Sequence, residues 1–231
     1  MRASSPDRRA PRSSAEQRSE VPPRAGPRID RATTRLVIIG CGALARELLA
    51  LTRGIAGIKV LGVDARLHMR PALIAGAVER RIAEARTTYG SDIGIFVAYA
   101  DCGTGGALDV VLRREGVQRI EGAHCYEFYA GASAYAALQE EELGTFYLTD
   151  FLARQFETLV LRGLGLDRHP ELQSDYFGSY RRLVYLAQTD DPALDAKARA
   201  AAERLGLDFE RRATGYGDLA PTIQAAIHAG S

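Results

Sequence analysis

The chain has 231 residues, of which 46% are hydrophobic and 26% are charged, and its formal net charge is +1. This composition is that of an ordinary globular protein, and the balanced charge excludes a general attraction to nucleic acid or to an anionic membrane surface. No apolar run approaches the roughly 18 residues of a bilayer-spanning helix, and three cysteines without a secretory signal indicate the reducing cytoplasm.

The first 34 residues differ from the rest of the chain. They hold five of the nine prolines and few apolar side chains. Such a segment cannot bury enough apolar surface to offset the entropy of ordering it. The sequence therefore predicts a disordered tail over 1–34 and a single α/β domain over 35–231.

Short apolar runs alternate with helix-like stretches through this domain. The runs predict strands at about 35–40, 58–63, 93–99, 117–122, 182–188 and 207–213, with a short strand or an extended turn at 144–149. Helices are predicted at about 43–53, 71–87, 106–115, from about 127, through most of 150–180, from 192 to about 205, and at the C-terminus. This alternation predicts a doubly wound, mostly parallel sheet, for which we expect a flavodoxin-like strand order.

All three cysteines of the chain follow predicted strands: Cys41 the first, Cys102 the third and Cys125 the fourth. The carboxyl ends of parallel strands form the edge where open α/β sheets bind ligands, and neighbouring strands lie about 4.8 Å apart. A strand order 2-1-3-4 therefore brings the three thiols together. Three thiolates bind zinc when a histidine completes the set, or an iron–sulfur cluster by themselves. The alternative is three small buried hydrophobic side chains, because free cysteine is among the most buried residue types.

Two polar residues near these strand ends are candidates for proton transfer. His68 follows the second predicted strand, so it can complete a metal site or act as an acid or base. His124, next to Cys125, is the rival candidate. Successive residues of an extended chain point to opposite sides, so we expect only one of His124 and Cys125 to face the site. Asp101 is a candidate base or a partner that orients a histidine.

A nucleotide-binding pattern overlaps the first cysteine. The turn Gly40–Ala45 matches G-x-G-x-x-A between a strand and a helix, and Asp64 ends the second strand. In a dinucleotide site, Gly40 and Gly42 would let the pyrophosphate approach the backbone, and Asp64 would bind the ribose. NAD(P) is therefore the alternative cofactor, although any tight strand-to-helix turn favours glycine.

The loop after the third strand is also rich in glycine. Gly103 and Gly105 would leave backbone N–H groups free to bind an anion or a sulfur-bound ligand. A plain glycine-rich turn explains the same residues. We keep both as candidate cofactor-binding positions.

Five short motifs are spread along the domain: Cys41-Gly42-x-Leu44-x-x-Glu47, Leu67-His68, Tyr99-x-x-Cys102-Gly103, His124-Cys125-Tyr126 followed by Gly131 and Tyr135, and Gly144-Thr145-Phe146-Tyr147-Leu148-Thr149. Together they resemble the prokaryotic family called domain of unknown function 1638, from about Arg35 to about Ala226. The resemblance implies that Cys41, His68, Cys102 and Cys125 are the motif centres. It also implies one-carbon metabolism, by association with corrinoid-dependent methyltransferases.

This chain departs from the family pattern in front of the third cysteine. The family has an aspartate there, where this chain has His124, so the side chain beside that cysteine differs in charge. The family pattern also does not require a glycine at the position of Gly40, which weakens the nucleotide hypothesis.

The sequence leaves three functions open. The first is a metal-binding enzyme of corrinoid-linked methyl transfer, acting through Cys41, Cys102, Cys125 and His68 on a small molecule or with a corrinoid protein. In it, the metal holds the nucleophile and lowers the pKa of a bound thiol or water. The second is an NAD(P)-binding oxidoreductase. The third is a non-catalytic accessory protein that binds a corrinoid protein, a cofactor or a metal in transit.

Overall fold

The computed structural model describes residues 33–230, and every predicted strand is present among them. The strands are Leu36–Cys41 (β1), Ile58–Val63 (β2), Gly94–Ala98 (β3), Gln118–Arg119 (β4), Thr145–Thr149 (β5), Arg182–Ala187 (β6) and Asp208–Ala213 (β7). The α-helices are Ala45–Leu51 (α1), Ile74–Tyr89 (α2), Ala107–Glu115 (α3), Cys125–Ala130 (α4), Ala132–Glu141 (α5), Asp150–Gln155 (α6), Gln173–Phe177 (α7), Pro192–Leu205 (α8) and Leu219–Ala229 (α9). Short 3-10 turns precede α1, α2 and α7, and a π-helical stretch, Phe156–Leu161, follows α6.

Strand β1 is the centre of the first sheet. It pairs in parallel with β2 on one side and with β3 on the other, and β4 pairs with β3, so the order is β2-β1-β3-β4. The run Leu36–Ile39 of β1 is buried on both faces, as expected for a parallel strand that helices cover on both sides. The expected strand order 2-1-3-4 is therefore confirmed.

The last three strands form a second sheet instead of extending the first. Its order is β5-β6-β7, again all parallel. The segment at 144–149, which the sequence left as a strand or a turn, is a strand because it pairs with β6 along its whole length. The parallel α/β class is confirmed, with the strands divided between two sheets. Only Gln118 and Arg119 of β4 enter the ladder, so the first sheet ends in a very short edge.

Strand β6 joins the two apolar cores of the molecule. Successive side chains of a strand point to opposite faces, and Val184 and Leu186 pack into the core that also contains β1 and α9. Leu183, Tyr185 and Ala187 pack into the second core, with α6 and α8. Both sheets therefore belong to one compact unit.

Two sequence expectations concern the ends and the exterior of the molecule. The disordered tail predicted at 1–34 lies outside the described residues, except for 33 and 34. None of the helices within 33–230 combines the length and the apolar character that crossing a bilayer demands.

Candidate functional site

The strand ends of the first sheet place the three cysteines on neighbouring segments. Cys41 is the last residue of β1, Cys102 lies in the loop after β3, and Cys125 begins α4. The two loops are joined, because the Asp101 amide donates to the Gly122 carbonyl at 3.1 Å and the Cys102 amide donates to the Ala123 carbonyl at 2.8 Å. These bonds continue the pairing of β3 with β4 beyond the end of β4 and bring the Cys102 and Cys125 loops side by side.

Cys102 has an unusual backbone conformation. Its φ of 51° makes it the one residue other than glycine with a positive φ in the part of the chain that the structure describes. A left-handed conformation costs a residue with a Cβ atom roughly 1–2 kcal/mol, and such strain tends to occur at functional sites. The backbone N–H of Cys125 is near enough to the Cys102 thiol to oppose the rise of its pKa.

We call Cys41, Cys102 and Cys125 the thiol cluster, since each thiol interacts electrostatically with the other two. Burial is the main cause that raises the pKa of all three, and repulsion from its neighbours adds to it for Cys102 and Cys125. The pKa of Cys102 reaches about 12. All three side chains are therefore protonated thiols at neutral pH and are poor nucleophiles by themselves, because the thiolate is the reactive form.

His68 lies beside the thiol cluster. Its Nδ1 is 3.8 Å from the Cys41 Sγ, and its ring stacks on Tyr99 with centroids 6.1 Å apart. Desolvation lowers the pKa of the imidazole, and the charge of His124 lowers it further. The ring is therefore neutral at pH 7, which is the form that binds metal ions. Of the two candidate histidines, His68 contacts a thiol, whereas His124 is exposed at the start of α4.

Tyr99 is a site residue to which the sequence assigned no role. It is 1% exposed, it lies against Cys41, and burial followed by the Cys41 charge raises the pKa of its phenol. Its hydroxyl has no partner at full hydrogen-bond geometry within the described residues, although the Cys41 thiol beside it interacts with it. A buried hydroxyl without a full partner is costly, so this group can also bond to a ligand. The sequence signal that could have identified Tyr99 as a site residue is its position three residues before Cys102.

Glu47 is a second residue that the sequence placed in a motif without a role. It is 3% exposed, and its Oε2 atom has no hydrogen-bond partner in the region described. Burial raises the pKa of this carboxyl group, and the Arg154 charge opposes the shift. The available signal was its spacing, since a residue three positions after Leu44 lies on the same, buried face of the helix.

The structure gives Asp101 a different role from the predicted base or histidine partner. Its carboxylate accepts hydrogen bonds from the Thr104 hydroxyl at 2.5 Å, from the Gly105 amide at 3.2 Å and from the Gly106 amide at 3.0 Å. The Thr104 bond is the main cause that lowers the pKa of Asp101, so the group remains an anion. Asp101 therefore holds its own loop in shape.

The same contacts change the interpretation of the glycine-rich loop. The predicted anion site would use free backbone N–H groups near Gly103 and Gly105, but the amide of Gly105 is taken by Asp101. Gly103 and Gly105 have φ values of 82° and 60° and a Cβ on Gly103 would contact Pro71. Both glycines are explained by the turn itself.

The turn Gly40–Ala45 is also explained by packing within the chain. A Cβ on Gly40 would lie 2.2 Å from a methyl group of Leu48, and one on Gly42 would lie 3.0 Å from the Val63 carbonyl oxygen. Asp64, the expected ribose ligand, instead binds Arg66 through its backbone amide and its guanidinium. These contacts explain Gly40, Gly42 and Asp64 without a bound dinucleotide.

An apolar cavity of about 210 Å³ opens beside the thiol cluster. His68 and Cys125 line it from the first sheet, and Phe146, Val160 and Phe177 are among the side chains that line it from the second half of the chain. A small, mostly apolar cavity with few polar groups is the usual form of a ligand site. The thiol cluster and His68 thus border a space that a small molecule can enter.

The chain matches the model of a family described as "Protein of unknown function (DUF1638)" over residues 63–223. It belongs to this family. The matched region of the DUF1638 protein contains His68, Cys102 and Cys125, and Cys41 precedes it. No curated protein and no solved structure matches the chain significantly.

The thiol cluster of this DUF1638 protein suits a soft metal ion by its chemistry. Three thiols and a neutral imidazole are ligands that zinc and iron–sulfur centres use. Their arrangement is not that of a formed site, because within residues 33–230 no three His, Cys, Asp or Glu side chains are placed to hold a metal ion.

Proposed function

We propose that this DUF1638 protein binds a soft metal ion, zinc or the iron of an iron–sulfur cluster, through Cys41, Cys102, Cys125 and His68, and acts through it on a small molecule. The observation that supports the proposal is the mutual electrostatic interaction of all three cysteines of the chain, two of them buried and Cys125 half-buried. A structural role alone does not require three interacting thiols at one edge of a sheet.

The electrostatics of the thiol cluster favour a cation. Desolvation makes each thiol resist ionisation, and the like charge of a neighbouring thiol adds to this resistance for Cys102 and Cys125. A cation at the centre reverses both effects, so Cys41, Cys102 and Cys125 lose their protons only when it is present. In this proposal the three side chains also move to their ligand positions on binding, since the described arrangement is not yet a metal site.

Two neighbouring residues complete the proposed site. His68 supplies a neutral ring nitrogen, and Tyr99 supplies a buried hydroxyl that can donate a hydrogen bond to the Cys41 sulfur once it is ionised. When bound, the metal would lower the pKa of a coordinated thiol or water and so provide a nucleophile at neutral pH.

The finer form of the proposal is a methyl transfer in one-carbon metabolism. It comes only from the family resemblance. The NAD(P)-dependent oxidoreductase is the weaker alternative, because packing within the chain already explains Gly40 and Gly42 and because Asp64 already binds Arg66.

The proposal is tested by metal analysis of anaerobically purified protein, together with its visible absorption spectrum. We expect close to one zinc ion or one cluster for each chain. An iron–sulfur cluster is coloured, whereas zinc is colourless because its d shell is filled. The single variants Cys41→Ser, Cys102→Ser, Cys125→Ser and His68→Asn should each lower the metal content at least several-fold.

His169→Asn is the matched control for the histidine, since His169 is exposed and pairs only with Glu171 in the described structure. It should leave the metal content unchanged. A wild-type protein that carries almost no metal and takes up neither zinc nor a reconstituted cluster would contradict the proposal. If NAD(P) then raised the melting temperature and Asp64→Asn removed the shift, the nucleotide alternative would replace it.

A further inference from the structure

We infer that the apolar cavity binds a small, uncharged, apolar organic ligand whose single soft donor atom, such as a thiol or thioether sulfur, faces His68 and Cys125. The apolar part of this inference is independent of the metal. The soft-donor part rests on the proposed function.

The wall of the apolar cavity excludes charged ligands. No Asp, Glu, Lys or Arg lines it among the described residues, although 26% of the whole chain is charged. Burying a charge without a partner is expensive, so a phosphate, a carboxylate or an ammonium group has no favourable place in this space.

The volume limits the size of the ligand. The cavity measures about 210 Å³, which is below the roughly 300–1,000 Å³ of pockets that take drug-sized molecules. An apolar cavity of roughly 150 Å³ holds benzene. The ligand is therefore a molecule slightly larger than benzene, and a dinucleotide or a corrinoid ring is too large to lie inside.

The residues that line the cavity are of two kinds. Leu159, Val160 and Leu164 come from the π-helical stretch and the turn after it, and they supply apolar surface. π-Helical turns occur often at functional sites. His68 and Cys125, which carry an imidazole and a thiol, line the same cavity. An apolar body therefore packs against the aliphatic side chains, and a single polar atom finds its partners at His68 and Cys125.

The position of Cys125 explains why the donor atom should be soft. Cys125 both lines the cavity and interacts with Cys41 and Cys102. A ligand atom beside it is next to the proposed metal, and sulfur is the donor that thiolate-bound soft metals accept most readily. The substrate class is therefore a small apolar thiol or thioether.

The test compares toluene with phenylmethanethiol, which has the same apolar body and one added sulfur. Binding is measured by titration calorimetry and by the rise in melting temperature. Toluene should bind to the wild type and also to the variant in which all three cysteines are serine. Phenylmethanethiol should bind at least about tenfold more tightly than toluene to the zinc-loaded wild type, and should lose this advantage in the triple variant.

Leu159→Trp places a large side chain in the cavity and should abolish toluene binding, with Leu164→Trp as a second variant should the first fail to fold. Leu143→Trp is the matched control, because Leu143 is 82% exposed and does not line the cavity. Toluene binding should survive there.

The outcomes separate this inference from the proposed function. Failure of toluene to bind the wild type, or equal binding to Leu159→Trp, overturns the assignment of the cavity whatever the metal content is. A wild type that binds toluene but takes up neither zinc nor a cluster keeps the apolar ligand and overturns the proposed metal centre with the soft donor. A zinc-loaded protein that binds both probes equally overturns the soft donor alone.

Discussion

The carboxyl ends of the two sheets carry buried polar groups in opposite states. At the first sheet, the Tyr99 hydroxyl and one oxygen of Glu47 have no hydrogen-bond partner among residues 33–230. The three thiols there resist ionisation, because their pKa values are raised. At the second sheet, the buried carboxylate of Asp150 is fully bonded. Equivalent positions in two parallel sheets therefore serve different purposes.

Asp150 shows what a satisfied strand end looks like. It is 0% exposed. Its oxygens accept hydrogen bonds from the Tyr185 hydroxyl at 2.7 Å, from the backbone N–H of Gln188 at 3.0 Å and from the Thr189 hydroxyl at 2.5 Å. Arg154 adds an ion pair at 3.4 Å. These bonds tie the start of α6 to the end of β6, so Asp150 contributes stability and its carboxylate is already occupied by partners within the chain.

The comparison indicates where a ligand should act. Polar groups that are buried and bonded rigidify a fold, whereas buried groups without partners cost free energy until something binds them. Glu47 links the two edges, because Arg154 and Asp150 both affect the pKa of its carboxyl group. We expect substitutions at the second edge to change stability and substitutions at the first edge to change ligand and proton binding.

The largest effect should come from Asp150→Ala. It leaves Tyr185, Gln188 and Arg154 buried without their partner, and breaking a buried ion pair on one side typically costs about 3–5 kcal/mol. Urea denaturation should show the free energy of unfolding reduced by about that amount. The control Asp190→Asn removes a fully exposed carboxylate that binds Arg211, and it should have no measurable effect. A small change in Asp150→Ala would mean that the second edge is not the stabilising one.

The next effect is a dependence of stability on pH at the first edge. The pKa of Cys102 is raised from 9.0 to about 12, so the folded state holds this proton more tightly than the unfolded state. Its stabilisation is complete below about pH 9 and is lost as the pH rises toward 12. Between these values the free energy of unfolding should fall faster in the wild type than in Cys102→Ser, by up to about 1.4 kcal/mol per pH unit.

This slope is measured from urea titrations of metal-free protein at several pH values. The difference between the two proteins isolates Cys102 from the tyrosines and lysines that also titrate in this range. Parallel curves for wild type and Cys102→Ser would show that the thiol is not held in its protonated form by the fold.

The smallest effect separates the two edges by backbone conformation. At Cys102, with φ of 51°, Cys102→Gly should be about 1 kcal/mol more stable than Cys102→Ala, because glycine adopts the left-handed region without steric cost. At the end of β6, Ala187→Gly should instead lower stability by about 0.5–1 kcal/mol. Thermal unfolding of the three variants measures both signs. The same sign at both positions would refute the strain at Cys102.

Much of the fold was predictable because its signals are local. The apolar run at about 35–40 predicted β1 to within one residue at each end, whereas pairing with β6 decided that 144–149 is a strand and not a turn. The position of His68 near Cys41 follows from its place after the strand next to β1. The bonds of Asp101 to Thr104 and the following amides depend on how the loop closes, so no local pattern predicts them.

The sequence by itself determined the parallel α/β class and the placement of three cysteines after strand ends, because burial and strand propensity are encoded in neighbouring residues. The order 2-1-3-4 was an expectation that only the pairing of β1 with β2 and β3 decided. The tertiary structure decided the division into two sheets, the left-handed turn at Cys102 and the missing partner of Tyr99. The tertiary structure also forms the apolar cavity, which is lined by residues as far apart in the sequence as Ala43 and Phe177. These features depend on contacts between residues far apart in the chain, and no local pattern specifies such contacts.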